Sequence, residues 1–262
     1  MIIIGERING LFRDVRKAIQ NREPEVIKEW AVKQAEAGAH YLDINTGPAV
    51  DDPENVMGWL VETAQEAVDL PISVDAAKVV AIEAGLKTHK KGRPLINSTT
   101  GEAKMMEQVF GLAKEYNAQV ICLAMNEKGV PKDAQDRLNI AMEIVATADA
   151  MGIPSGDLFI DPLVLPVNVA QDHGPEVLET IRQVKLVDPN LKTVVGLSNV
   201  SQKAKHRDLI NRVFLVMAMA VGLDAAIMDA NDQEMIDSLL TARLLLNQEI
   251  YADSYLEMAR RK

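Results

Sequence analysis

Carboxylate and carboxamide side chains recur at one kind of position in this sequence, shortly after short apolar runs. Eight such runs occur, and each is followed by an Asp or Asn: Asn9, Asn45, Asp75, Asn97, Asn126, Asp161, Asn199 and Asp229. A carboxylate accepts hydrogen bonds, whereas an amide both donates and accepts them. Asn126 and Asp229 directly precede turn or helix-opening residues, so local capping explains these two best.

The mixture of Asp and Asn favours a neutral heterocycle over a metal ion. A carboxylate accepts two parallel hydrogen bonds from an N–C–N edge, and a 2-amino-4-oxo-pyrimidine ring presents such an edge. Two or three carboxylates could hold magnesium, but the amides suit a heterocycle better. The histidines form neither H-x-H nor H-E-x-x-H, which predicts no protein-bound metal: His40, His89, His173 and His206.

No nucleophile is paired with a base. Cys122 lies inside an apolar run, which indicates core packing. Ser198 has no histidine near it in the sequence, so nothing supports a serine triad. We therefore expect a reaction between two bound partners, without a covalent enzyme intermediate.

Composition excludes several classes of partner. The formal net charge is −10 and aromatic residues make up 4% of the chain, which argues against a nucleic-acid partner. No apolar run reaches the roughly 18 residues that a membrane helix needs, and the amino terminus does not resemble a signal peptide. With a single cysteine, these features predict a cytoplasmic protein without a membrane partner.

The elements that must position the Asp and Asn ring repeat along the chain. Each unit is a short apolar run, a polar loop and an amphipathic helix, and the runs lack alternation, as strands buried on both faces do. The runs are Ile2–Ile4, Tyr41–Ile44, Ile72–Val74, Leu95–Ile96, Val120–Leu123, Leu158–Ile160, Thr193–Gly196 and Ala225–Met228.

Eight such units in 262 residues predict an α/β fold, a single (β/α)8 TIM barrel whose one domain spans residues 1–262. The competing doubly wound sheet would carry a glycine-rich phosphate turn, and Gly5 and Gly10 lack the G-x-G-x-x-G spacing. In a barrel, strand carboxyl ends share one mouth, so the polar ring should line it.

Helix boundaries are marked by capping residues. Asp52 before Pro53, Pro24 and Asp133 predict helix starts. Gly38, Gly152, Gly222 and Asn247 predict helix ends.

Four segments resemble one known family. These segments are Ile3–Asn9, Leu42–Pro48, Ile160–Leu163 and Gly196–Ser201, and they contain GERIN, LDIN and GLSN. Together they are similar to methyltetrahydrofolate:corrinoid iron–sulfur protein methyltransferases, which belong to the pterin-binding TIM-barrel family. One departure concerns Ala76-Ala77-Lys78 after Asp75, where the family often has Ser and a polar residue.

The resemblance implies roles for particular residues. Asp75, Asn97 and Asp161 would grip the pterin ring, and Asn199 would also bind it and serve as the catalytic residue that reaches N5. Possible further contacts are Glu6, Asp43, Asn45, Ser198, Gln202 and Arg207. We further expect Glu6 and Asp43 to hold the barrel mouth through Arg7.

The resemblance also implies an activity and partners. The enzyme would move the N5 methyl group of methyltetrahydrofolate to the cobalt(I) of a corrinoid (cobalamin) carried by a partner protein, and the chain would form a homodimer. The partner could be an iron–sulfur protein of acetyl-CoA synthesis or the corrinoid component of an O-demethylation system.

Two other functions stay open. One is a dihydropteroate synthase, which uses a lysine near the end of strand 7 and an arginine at strand 8; this chain has Ser198-Asn199 and Met228-Asp229 there. The other is a non-catalytic folate-binding subunit of a corrinoid protein complex.

Two loops could meet these partners. Residues 162–169 are apolar, which is typical either of a segment packed over helix ends or of a lid or dimer surface. Residues 202–207 are basic in an acidic chain, so they could meet the folate glutamate tail or the corrinoid protein, or simply be solvated.

Overall fold

The computed structural model describes residues 1–48 and 50–251, in which eight parallel strands close into a barrel in chain order. The predicted (β/α)8 architecture is confirmed. The strands are β1 Ile2–Asn9, β2 Tyr41–Asn45, β3 Ile72–Asp75, β4 Leu95–Thr99, β5 Gln119–Leu123, β6 Leu158–Asp161, β7 Lys192–Gly196 and β8 Ala225–Met228.

Helices cover the outside of the barrel. They are α1 Arg13–Asn21, α2 Pro24–Glu36, α3 Pro53–Ala67, α4 Val79–Thr88, α5 Ala103–Glu115, α6 Ala134–Ala150, α7 His173–Val187, α8 Arg207–Ala220 and α9 Gln233–Leu245. Short 3-10 helices cover Ser155–Asp157 and Leu197–Ser201. The second, which we call the β7 turn, connects β7 to the segment before α8. Helix α1 is an addition that the sequence pattern did not predict.

The predicted caps are in place. The Asp52 side chain accepts a hydrogen bond from Asn55 N at 3.1 Å, and Asp133 accepts one from Asp136 N at 2.8 Å. Each satisfies a backbone N–H that the first helical turn leaves unpaired. Gly222 closes α8 with φ of 107°, a left-handed conformation that side chains rarely adopt.

Strand β1 is longer than predicted. The expected strand stopped at Ile4, but pairing with β2 resumes at Ile8 and Asn9 after an irregularity in register beyond Gly5. Backbone pairing does not depend on apolar side chains, so a rule that ends a strand at its first polar residue cuts it short. Glu6 and Arg7 therefore project from a strand and not from a loop.

The barrel interior is filled by side chains, so a ligand must bind at its mouth. One buried cluster consists only of strand residues: Ile4, Leu95, Ile121, Phe159, Val194 and Ala225. The remaining core lies between sheet and helices and includes Cys122, which is fully buried. Burial raises the pKa of the Cys122 thiol, which agrees with the predicted packing role.

Two predictions concern the whole chain. The single domain over residues 1–262 remains a prediction, since residues 49 and 252–262 lie outside the described residues. Within the described ranges, no helix combines the length and apolar character needed to cross a membrane.

Candidate active site

One cavity of about 530 Å³ opens at the carboxyl ends of the strands. Nine of the predicted site residues line it: Glu6, Asp43, Asp75, Asn97, Asp161, Ser198, Asn199, Gln202 and Arg207. Strand-end positions from five strands and the β7 turn thus meet in one place, as the barrel topology requires. Apolar side chains that the sequence pattern did not single out complete the walls, among them Leu123, Leu163 and Ile227.

Three members of the Asp and Asn ring lie elsewhere. Asn45 does not line the cavity; its side chain lies behind Asp75. Asp229 Oδ1 accepts from Asn231 N at 2.9 Å and Asn126 Oδ1 accepts from Lys128 N at 3.0 Å, so both cap local turns. The capping explanation that the sequence favoured for Asn126 and Asp229 agrees with these bonds.

Asp43 fixes the orientation of Asn97. Asp43 Oδ1 accepts from Asn97 Nδ2 at 3.1 Å and from Ser73 Oγ at 2.7 Å. Burial, followed by the nearby Asp75 carboxylate, raises the pKa of Asp43 well above its ordinary value, and the bonds from Ser73 and Asn97 oppose this shift. The carboxyl therefore acts as an internal anchor for the amide.

Asp75 is held from two sides. Its Oδ2 accepts from Asn45 Nδ2 at 2.7 Å, and Asn45 Oδ1 in turn accepts from Gly47 N at 2.7 Å. Burial raises the pKa of Asp75, and the hydrogen bonds from Asn45 and Asp43 lower it. Asn45 thus orients Asp75 without reaching the cavity itself.

Asp161 is a buried carboxyl with one oxygen already bonded. Leu163 N donates to its Oδ1 at 2.7 Å. Burial raises the pKa of Asp161 to about 7, while the Leu163 N–H and the positive charge of Arg137 oppose the shift. Arg137 itself is completely buried and lies 2.9 Å from His173 Nδ1 through its Nη2. The sequence pattern did not predict that Arg137 is buried near the site, because a single polar residue on a helix normally indicates an exposed position.

The hydrogen bonds leave acceptors for a ligand. Asn97 uses its Nδ2 and Asp161 uses its Oδ1, and among the described residues no hydrogen bond occupies Asn97 Oδ1 or Asp161 Oδ2. Buried acceptors require donors. A matching ligand therefore presents several N–H groups along one edge, as an aminopyrimidinone does.

Arg7 does not make the contact with Glu6 and Asp43 that was expected of it. Arg7 Nη2 pairs with Asp14 Oδ2 at 2.9 Å, and its guanidinium stacks 3.9 Å from the centroids of the Phe12 and Trp30 rings. Glu6 Oε1 instead accepts from Ser198 Oγ at 2.7 Å. The prediction that Arg7 joins Glu6 and Asp43 is wrong, because Arg7 points into the outer layer, where aromatic rings and Asp14 surround it.

Asn199 lies on the β7 turn and its side chain is exposed at the cavity. In the described part of the chain, no hydrogen bond to its carboxamide is present. Its Nδ2 would lie only 2.9 Å from a Cβ built on Gly196. The absence of a side chain at position 196 thus leaves room for the Asn199 amide beside the strand end.

The two loops differ in how they are held. Val164 of the apolar loop is buried and Val167 N donates to Val200 O at 2.9 Å, so this loop packs against the β7 turn. In the basic loop, Gln202, Lys203 and Lys205 are exposed. Arg207, also exposed, donates from Nε to Ser201 Oγ at 3.1 Å. The basic loop therefore borders the cavity through Gln202 and Arg207.

The described residues contain no group of three or more His, Cys, Asp or Glu placed to hold a metal ion.

A family model described as pterin binding enzyme matches residues 13–229. The chain belongs to the pterin-binding enzyme family. The residues that line the cavity described above lie within this match, apart from Glu6, Asn9, Leu11 and Phe12, which precede it.

Two relatives of this pterin-binding chain carry informative names. It is 28% identical over 257 residues to a methylcorrinoid:tetrahydrofolate methyltransferase of Eubacterium limosum, a match that covers 97% of this chain and 94% of the relative. It is 29% identical over 244 residues to the methionine synthase of Mycobacterium tuberculosis, covering 88% of this chain and 20% of that much longer protein.

Solved structures show the same fold. Dihydropteroate synthase of Yersinia pestis superposes with a TM-score of 0.72 at 16% identity, covering 95% of this chain and 94% of that chain. The Thermus thermophilus enzyme gives a TM-score of 0.67 at 18% identity, with 89% and 91% covered. At such identities the similarity concerns the barrel alone.

Proposed function

We propose that the chain is a methyltetrahydrofolate-dependent corrinoid protein Co-methyltransferase. The observation that carries this proposal is the position of the Asn199 amide beside a cavity in which Asn97 and Asp161 each offer a side-chain oxygen as a hydrogen-bond acceptor. The Eubacterium limosum relative, named as a methylcorrinoid:tetrahydrofolate methyltransferase and similar over almost its whole length, supports the same activity.

Asp75, Asn97 and Asp161 would bind the pterin. Their acceptor oxygens complement the 2-amino group and ring N–H groups of the folate head. Asn45 and Asp43 would orient Asp75 and Asn97 through their hydrogen bonds to these two side chains. This arrangement fixes the ring and directs its methyl-bearing N5 toward a partner at the mouth.

Asn199 would assist departure of the methyl group. The electron pair of cobalt(I) forms a Co–C bond as the C–N5 bond breaks; the pair of that bond stays on N5, which takes a proton from water. A hydrogen-bond donor at N5 stabilises the negative charge that develops on the leaving nitrogen. Such a donor increases the rate about 10²-fold. The reverse reaction, from methyl-cobalt to tetrahydrofolate, uses the same contacts.

The remaining contribution of the barrel is positioning. Because no nucleophile of the enzyme is involved, the rate depends on holding two bound reactants in line. The corrinoid would reach the mouth on a partner protein, with the exposed basic loop at residues 202–207 as one contact. The chain would act as a homodimer.

A direct assay tests the proposal. Purified protein is mixed with methyltetrahydrofolate and reduced free cobalamin, and the cobalt absorption spectrum is followed. The proposal requires conversion to methylcobalamin at a rate proportional to enzyme. Tight folate binding without conversion, repeated with candidate corrinoid proteins, would instead support a non-catalytic subunit. Formation of a C–N bond between a pterin and p-aminobenzoate would indicate a synthase.

A further inference from the structure

The β7 turn is tied to other elements on three sides. Ser198 Oγ donates to Glu6 Oε1 of β1 at 2.7 Å, although the two residues are 192 positions apart. Arg207 Nη2 donates to Ser198 O at 3.3 Å. On the third side, Val167 N donates to Val200 O at 2.9 Å. Restraints from β1, α8 and the loop after β6 therefore converge on this one turn.

The carboxamide of Asn199 lies between these restraints and is not restrained directly. Its side chain is exposed, and the described residues offer it no hydrogen bond. The direction of its carboxamide consequently depends on the backbone of the turn. Ser198 directly precedes Asn199, so the position of Ser198 affects that backbone. Gln202 N donates to Asn199 O at 3.2 Å, so the Asn199 backbone is held as well. The Ser198–Glu6 bond is the side-chain contact nearest to Asn199 in this turn, and its loss would shift the Asn199 side chain.

We propose that Glu6 is a positioning residue that holds Asn199 in register with the bound folate by anchoring Ser198. This inference rests on the proposed function, in which Asn199 donates to N5. Glu6 acts through the Ser198 hydroxyl. Its contribution should therefore appear in the rate of methyl transfer and not in folate affinity, because Asp75, Asn97 and Asp161 supply that affinity.

The surroundings of Glu6 make this anchor responsive to pH. Besides its partner Ser198, the charged groups that influence it are Asp229 after β8, Arg207 of α8, Asp43 of β2 and, from the other side of the sheet, Arg7 of β1. Burial raises the pKa of Glu6 to about 7, the Ser198 bond and the two arginines lower it, and Asp229 raises it further. An ionised carboxylate accepts a stronger hydrogen bond than a protonated one, so the anchor tightens above neutrality.

A double-mutant cycle tests the anchor. Ser198→Ala removes the donor and Glu6→Ala removes the acceptor. Each should lower kcat for methyl transfer about 10-fold, the lower end of the range for a hydrogen bond to a charged group, with the folate Kd changed less than about 2-fold. The double variant should be no slower than either single one. Glu6→Gln keeps an acceptor but loses the charge, so it should recover part of the rate lost in Glu6→Ala.

The control is Ser238→Ala. Ser238 is also partly buried, and its Oγ donates at 2.7 Å to Glu234 O on α9, away from the cavity. This variant should transfer methyl groups at the normal rate. Two outcomes would contradict the anchor. One is a loss of kcat in the double variant equal to the product of the two single losses. The other is a folate Kd that rises while kcat is unchanged.

A second measurement separates failure of the anchor from failure of the proposed function. The side-chain amide resonance of Asn199, assigned by its loss in Asn199→Ala, should move in Ser198→Ala and Glu6→Ala but not in Ser238→Ala. This holds whether or not the wild-type protein transfers methyl groups. An unmoved resonance would contradict the anchor, and a wild-type protein without methyl transfer would contradict the proposed function.

Discussion

Asn97 Nδ2 donates a hydrogen bond to Asp43 Oδ1 over 3.1 Å, and this contact determines which end of the Asn97 amide faces the cavity. Asp43 is buried and also accepts from Ser73, so it cannot readily move to another partner. The acceptor oxygen of Asn97 therefore remains for a ligand. Bonds within the protein thus orient the site to accept hydrogen bonds from a ligand.

The first prediction concerns the pterin grip. Asp161→Asn retains an oxygen that can accept from Leu163 N but loses the negative charge offered to the ligand. We expect the folate Kd to rise about 10- to 100-fold, the range for a hydrogen bond to a charged group. Isothermal titration with methyltetrahydrofolate measures this. Asn126→Ala, at a strand-end position outside the cavity, is the control, and equal effects in both variants would contradict the assignment.

The second prediction is that the same substitution stabilises the protein at high pH. Burial raises the pKa of Asp161 from 3.8 to about 7, so keeping it ionised in the folded state is unfavourable. This penalty is absent below the unfolded pKa, grows as pH rises between these two values, and is complete above about 7. Chemical denaturation should show Asp161→Asn more stable by up to about 4 kcal/mol at pH 8. No such gain is expected near pH 4; a gain of equal size there would be inconsistent with this cause.

The third prediction concerns the pH dependence of folate affinity. Protonation of Asp161 in the free protein, whose pKa is about 7, removes a carboxylate that the ligand needs as an acceptor. The folate Kd should therefore rise as pH falls from 8 to 5.5, by up to about 10-fold per pH unit below the transition. The dependence of the folate Kd on pH should be much weaker in Asp161→Asn. An identical slope in that variant would assign the dependence to another group.

The fourth prediction concerns the basic loop. Lys203 and Lys205 are exposed next to Gln202, which lines the cavity. If this loop meets the carboxylates of the folate tail, the Lys203→Ala/Lys205→Ala variant should bind a triglutamate substrate about 5-fold more weakly at low salt, with little change for a monoglutamate. Lys17→Ala/Lys87→Ala, on the outer helices α1 and α4, supplies the matched charge control. If the loop variant and the charge control bind the triglutamate equally well, the loop contacts the corrinoid protein or solvent and not the folate tail.

The sequence reveals the barrel because its buried parallel strands are apolar runs with polar residues at one end. It reveals the mouth residues for the same reason, since Asp75, Asn97 and Asp161 follow directly on β-branched or apolar residues. It does not reveal long-range pairing. Glu6 and Ser198 are far apart in the chain, so their hydrogen bond follows only from barrel closure.

Two further features lie beyond sequence patterns for a physical reason. Arg137 is fully buried, although a single arginine on an amphipathic helix normally indicates a solvated face. Arg7 follows Glu6 directly, and alternation along β1 sends the two side chains to opposite sides of the sheet. The expected contact between them at the mouth was excluded by this geometry.

The most direct test of the account compares Asn199→Ala with the wild-type protein in a single turnover with methyltetrahydrofolate and reduced cobalamin. Asn199 is exposed, so the substitution should leave folding intact. The account predicts that methyl transfer, followed by the cobalt spectrum, slows about 100-fold while the folate Kd changes less than about 3-fold. A wild-type rate in Asn199→Ala would contradict the assignment of Asn199 as the donor to N5.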